Sequence, residues 1–186
     1  MTPENRIKLK KLRDDFEMKS VKSKLISRIS ESFDISNFRF INLSESVLIL
    51  SRIDKWPVNK WDDNLYIQAK VTEQSIIQSV INNFIEINKD SYLSLLFSNF
   101  RIGFIEITND FFANHWSDLI AIDNDDITCV LPNQNSFICI ELTEDILESN
   151  YTEGRQQIYD LTFSNKDLKE ILTRKSCLRC TNKSGQ

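Results

Sequence analysis

From Pro3 to about Phe33, apolar residues recur mostly every three or four positions: Leu9, Leu12, Phe16, then Met18, Val21, Leu25, Ile29 and Phe33, with Lys and Arg between them. The spacing predicts a long amphipathic helix with a break near Lys19. "FRFINL" and "SVLILSRI" follow as extended segments, the second dense enough in Val, Leu and Ile for a buried strand. After the Pro57 stretch "DKWPVNKWDD", the run "NLYIQAKV" predicts another strand. Thr72 then stands where a helix cap belongs, and Ile76, Ile77, Val80, Ile81, Phe84 and Ile87 form a single helical stripe that predicts a core-facing central helix.

The pattern changes in the second half. "SYLSLLF" and "RIGFIEI" predict strands, and "LIAI", "ITCVL" and "FICIEL" are short apolar segments separated by Asp/Asn-rich and Pro/Asn-rich turns, the spacing of an antiparallel meander. A helical segment near Glu144 to Asn150, a last strand "QQIYDLTF", a capped terminal helix "SNKDLKEILTRKS" and a tail from residue 177 to 186 complete the reading. The expected architecture is α+β: a mainly antiparallel sheet with a long N-terminal helix, a central helix and a short C-terminal helix, in one domain over residues 1 to 176.

At 186 residues, 41% hydrophobic and 10% aromatic, the chain has the composition of one folded domain rather than a disordered segment. No stretch approaches the roughly 20 apolar residues of a membrane span, and "MTPENRIKLKKLRDDF" lacks a secretory core, so a cytosolic location with four reduced cysteines is expected. The net charge of −4 conceals a strong polarity. Residues 1–30 carry +5, residues 31–165 carry −13 and residues 166–186 carry +4. An acidic body of this kind repels nucleic acid and attracts a basic protein surface, unless its acids are scattered and serve only solubility.

Candidate chemistry is sparse. The three aspartates of "IAIDNDDITCV", Asp123, Asp125 and Asp126, have Thr128 where an EF-hand needs Gly and Gln134 where it needs Glu, so they predict a tight turn between two strands and not a calcium loop. They nonetheless place carboxylates on an exposed tip, close in sequence to Trp116 and Asp118. His115 is the single histidine, which excludes a multi-histidine metal centre and forces any Ser-His or Cys-His mechanism through one side chain, expected instead to stack near Trp116. Neither a G-x-S-x-G elbow, a phosphate loop nor a dinucleotide fingerprint occurs, so no enzyme is expected. Cys177 and Cys180 form a C-x-x-C. A hairpin centred on Gln134 would place Cys129 opposite Cys139, so a four-cysteine zinc site is one reading and two buried thiols with two incidental tail thiols is the other. No cofactor is expected. Trp61 beside Asp62 and Asp63, and Trp116 near Asp118, combine aromatic anchors with acids that steer a basic partner; the competing reading makes the tryptophans core filler.

In its acidic middle, its "KWDDNLY" and "NHWSDLIAIDNDD" stretches, its α+β pattern and its lack of catalytic equipment, the chain resembles the small acidic cytosolic immunity proteins that neutralise contact-dependent or polymorphic bacterial toxins. The resemblance implies an inhibitor that binds a cognate toxin domain, often a basic nuclease, and covers its active site or nucleic-acid groove. Trp61, Asp62, Asp63, Trp116, Asp118, Asp123, Asp125 and Asp126 would form its surface. The basic first helix departs from a uniformly acidic inhibitor. The alternative is a zinc-binding or nucleic-acid-associated regulatory module that uses the C-x-x-C tail.

Overall fold

The computed structural model describes residues 3–53, 65–97, 102–122, 125–131, 133, 135–149 and 152–163. Among the described residues four α-helices, α1 (Pro3–Ser32), α2 (Leu43–Ser51), α3 (Gln74–Glu86) and α4 (Asn109–Ile122), accompany seven strands. These are β1 (Arg39–Phe40), β2 (Leu65–Lys70), β3 (Tyr92–Leu96), β4 (Ile105–Thr108), β5 (Asp126–Leu131), β6 (Ser136–Ser149) and β7 (Thr152–Phe163). All pair antiparallel in one sheet of order β1-β4-β3-β5-β6-β7-β2, the α+β arrangement that the periodicity predicts.

Alternation along each strand divides the sheet into two unlike faces. One face presents Leu93, Leu95, Ile105, Ile107, Ile127, Cys129, Ile138, Ile140, Leu161 and Phe163 to α3, α4 and the second half of α1, forming the main core. There Ile77, Val80, Ile81 and Phe84 realise the predicted stripe of α3. Gln78 joins α3 to α4, accepting from Trp116 Nε1 at 2.9 Å and donating to the Ala113 carbonyl at 3.0 Å. Arg28 of α1 donates to the Ile122 carbonyl at 3.1 Å, placing a cation at the negative end of α4. Burying a side chain such as Phe84 or Phe112 contributes about 2–3 kcal/mol, so the helices are held mainly by this face.

The second face is half apolar. Phe104, Val130 and Phe137 pack under Ile49 of α2 with Ile41 and Ile53, a smaller core. Ser46 pins α2 in place: its Oγ accepts from the Phe104 amide at 2.9 Å and donates to the Asn42 carbonyl at 2.9 Å. Gly103 makes the close approach possible, with φ +81 and an added Cβ only 2.6 Å from Ser46 Oγ.

Several expectations are corrected. The run 46–53 is not a strand; it lies largely in α2, because the Asn42 side chain accepts from the Glu45 amide at 2.9 Å and so starts a helix whose Ser46 and Ile49 face inward, with Ile53 buried just past its end. An apolar run of this length carries no periodicity that separates strand from buried helix. "LIAI" is the last turn of α4, started by Thr108 Oγ1 accepting from the Phe111 amide at 3.1 Å, so the aspartates join a helix to β5 and not two strands. Residues 144–149 continue β6, held by pairing with β7, where a helix was expected. Helix α1 runs unbroken through Lys19. Thr72 does not cap α3; it sits inside a 3-10 turn, Val71–Glu73, in which Glu73 Oε2 accepts from the Lys70 amide at 3.0 Å. The expected terminal helix, the boundary at residue 176 and the tail lie outside the described residues.

Candidate protein-binding face

Strand register decides which side chains meet on the second face. Paired residues of an antiparallel ladder project to the same side, and three successive rows can be followed across the sheet. The first, Glu106, Ser94, Val130 and Phe137, lies at the small core. The next holds Leu96, Thr128, Cys139 and Thr162. The third reads Asp126, Glu141, Asp160 and Gln68 across β5, β6, β7 and β2. Three carboxylates therefore stand on neighbouring strands, about 4.8 Å apart in the pairing direction. Glu141 and Gln68 are exposed, and Asp126 and Asp160 are half-exposed.

Like charges placed directly across a ladder destabilise a sheet, so this row works against folding. Local hydrogen bonds offset part of the strain: Thr143 Oγ1 donates to Asp160 Oδ2 at 2.9 Å, and the Cys139 thiol points to Glu141 Oε1 at 3.8 Å. Beyond α2, at the β4–β3 edge, a cavity of about 320 Å³ continues the acidic character with Glu45, Asp90 and Glu106 beside Arg52. Here Arg39 grips Glu106 through two hydrogen bonds, Nε to Oε2 at 2.7 Å and Nη2 to Oε1 at 2.8 Å, and Asn133 donates to Asp90 Oδ2 at 2.7 Å. Positive charge at this edge is thus partly spent on the protein's own carboxylates. The row at β5–β7 is the more strongly acidic part of the face.

The residues expected to form one surface are spread by the fold. Asp126 belongs to the acidic row, and Asp125, exposed and held at φ 60, precedes it in a turn conformation that Asp tolerates. Burial, and after it the negative charge of Asp125, holds the Tyr159 hydroxyl above its ordinary pKa. Asp118 is exposed on α4, across the sheet from Asp126, and the two do not share a surface. Trp116 corrects the expectation of a surface anchor: it is 4% exposed, edge-on to Tyr159 at 5.2 Å, and part of the main core. Trp61, Asp62, Asp63 and Asp123 lie outside the described residues.

No protein-family model matches this chain, and no curated protein or solved structure is similar to it. Function has to be read from the chain's own geometry.

Other candidate chemistry can be placed the same way. His115 packs against Phe111 at 4.7 Å and Phe33 at 5.3 Å rather than on Trp116, and its Nδ1 is 3.8 Å from Asp118 Oδ2, beyond hydrogen-bond range. Such a ring fills an aromatic cluster between α1 and α4. The cysteine expectation is corrected by register. Cys129 pairs with Ile138, and Cys139 with Thr128, one residue away from the symmetric hairpin. A one-residue shift sends the two thiols to opposite faces, so Cys129 and Cys139 cannot ligate one ion. Burial pushes both thiols up, Cys139 to about 12, which keeps them protonated and poor ligands. Cys177 and Cys180 lie outside the described residues. Among the described residues no group of three His, Cys, Asp or Glu is placed to hold a metal, and no helix is long and apolar enough to cross a membrane.

Glu141 and Asp160 are absent from the surface read from sequence, although a signal for them exists. In "FICIEL" and "QQIYDLTF" the apolar alternation assigns Ile138, Ile140, Tyr159, Leu161 and Phe163 to one side, which leaves Glu141 and Asp160 on the other. That they meet Asp126 is a property of register.

Proposed function

We propose that the protein is a stoichiometric inhibitor of the immunity type, which binds a basic partner, a cognate nuclease-like toxin domain, and covers that partner's active site or substrate groove. The observation that carries this reading is the transverse row of Asp126, Glu141 and Asp160, exposed or half-exposed on three adjacent strands. A basic surface would meet this row with opposite charge, and the row's regular spacing matches a line of Lys or Arg side chains. The acidic middle of the chain, −13 over residues 31–165, supplies the long-range attraction that speeds encounter. Trp61, Asp62, Asp63 and Asp123 remain candidates for contact with the partner, while Trp116 is buried in the main core and Asp118 faces elsewhere.

The test is capture on tagged protein from the source cells at low and high salt, with mass spectrometry of the retained material. A single basic protein retained at about one to one by the wild type and released by salt supports the reading, provided that Glu141→Lys fails to retain it. Equal retention by Glu141→Lys, or recovery of RNA with many unrelated proteins, overturns it.

A further inference from the structure

The first half of α1 is exposed from Asn5 to Asp14 and again at Phe16 and Glu17, and it carries an apolar stripe of its own. At 100° per residue, Leu9, Leu12 and Phe16 fall within about 60° of one another, while Leu25 and Ile29, which hold the helix to the core, point roughly 150° away. One continuous helix therefore has two apolar stripes on nearly opposite sides. The second is buried; the first stands open, with Leu9 41%, Leu12 64% and Phe16 75% exposed.

Charge frames the open stripe. Lys8 and Lys19 run along one border and Arg6 and Arg13 along the other, whereas Asp14 and Glu17 occupy positions further round the helix. Past Phe16, and turned towards a different side of the helix, a cavity of about 270 Å³ between α1 and α2 is lined by Met18, Lys19, Lys22 and Leu43 among others. Leu43 and Val47 of α2 are also exposed, at 42% and 51%. Lys22 leans over the Phe40 ring at 4.8 Å, holding its ammonium at the mouth of this cavity.

We infer that this surface docks on an anionic lipid bilayer: Leu9, Leu12 and Phe16 enter the interface, and Lys8, Lys19, Arg6 and Arg13 meet the headgroup phosphates. An apolar stripe bordered on both sides by long cationic side chains is the geometry of a helix lying in the plane of a membrane, where the methylene stems follow the apolar residues and the charges stay at headgroup level. A second copy of the chain is a poorer occupant. The stripe spans about two turns, so two such patches face to face would bury only several hundred Å² in all, short of the roughly 1,200 Å² total of a specific interface. Nucleic acid would use the cations and leave the Leu and Phe without a role.

The experiment is flotation of the full chain with vesicles of phosphatidylcholine alone and of phosphatidylcholine with 30% phosphatidylglycerol, at about 50 mM and 500 mM salt. The proposal expects at least tenfold more bound protein on the anionic vesicles at low salt, with most of it lost at high salt. Leu12→Glu/Phe16→Glu should abolish binding with an unchanged circular dichroism spectrum, since neither side chain contributes to the core, and Lys8→Glu/Lys19→Glu should reduce it about tenfold. Equal binding to both vesicle types, or full binding by Leu12→Glu/Phe16→Glu, overturns the proposal. So does a stable dimer in sedimentation that Leu12→Glu dissolves, or tight binding to a random duplex that only the lysine variant loses.

Discussion

Replacing Glu141 by Gln should make the protein more stable. The side chain keeps its size and an acceptor for the Cys139 thiol but loses the charge at the centre of the acidic row. Directly paired residues have Cβ atoms about 5 Å apart, which puts neighbouring carboxylates at about 6 Å. Two unit charges at that distance repel by about 0.7 kcal/mol in water, and Glu141 has one such neighbour on each side, Asp126 and Asp160. Screening at 0.15 M salt roughly halves the total of about 1.4 kcal/mol. Urea unfolding should therefore give Glu141→Gln a gain of about 1 kcal/mol in 10 mM salt, about half that near physiological ionic strength, and almost none in 1 M salt, with an unchanged m-value. Asp118→Asn, on the far side of the sheet, should move stability by less than about 0.5 kcal/mol under all three conditions. A Glu141→Gln protein that is less stable than wild type at low salt, or whose gain is indifferent to salt, would refute the claim that the row is mutually repulsive.

Four further outcomes follow from the fold. Gly103→Ala forces a Cβ to 2.6 Å from Ser46 Oγ at a left-handed backbone position, and should cost about 2–4 kcal/mol with loss of the Phe104 hydrogen bond, read as a lowered urea midpoint. Asn83, 3% exposed on α3, has a side-chain Nδ2 with no hydrogen-bond partner among the described residues, so Asn83→Leu should raise stability by about 1–2 kcal/mol in the same assay. In Cys177→Ser/Cys180→Ser protein, Cys129 and Cys139 should react with a disulfide reagent at pH 8 only after urea is added, because burial holds both thiols protonated. The folded chain keeps the Cys139 proton that the unfolded chain releases near pH 9, so stability should fall as pH rises from about 9 towards 12; a flat profile over that window would count against the burial of this thiol.

How much of this was legible in the sequence follows from the range of the interactions involved. The α3 stripe and the inward positions of β5, β6 and β7 are local periodicities, and they predict the observed core. The α2 run was misread because Ser46, Val47, Leu48 and Ile49 look alike in either structure, although Asn42 followed by Glu45 already marked a helix start. "LIAI" failed for the same reason, with Thr108 as the overlooked cap. Pairing register is not local: whether Cys139 faces Cys129 or Thr128 turns on a one-residue shift in the β5–β6 connection, where Asn135 takes φ 49. The acidic row has the same origin, since Asp126, Glu141 and Asp160 are far apart in the chain and meet only through that register and the pairing of β6 with β7. Trp116 and Asp118, two residues apart on a helix, were bound to point in different directions.

The central claim is that the Asp126–Glu141–Asp160 row receives a basic partner, and the most direct measurement is the association rate of that partner, once captured, with wild type and with Glu141→Lys. The lysine lies between two carboxylates and should leave the protein at least as stable as wild type, so lost binding cannot be ascribed to unfolding. The account predicts association at least tenfold slower for Glu141→Lys at 50 mM salt, with the difference shrinking at 500 mM. Equal association rates and equal dissociation rates for the two proteins at both salt concentrations would contradict it.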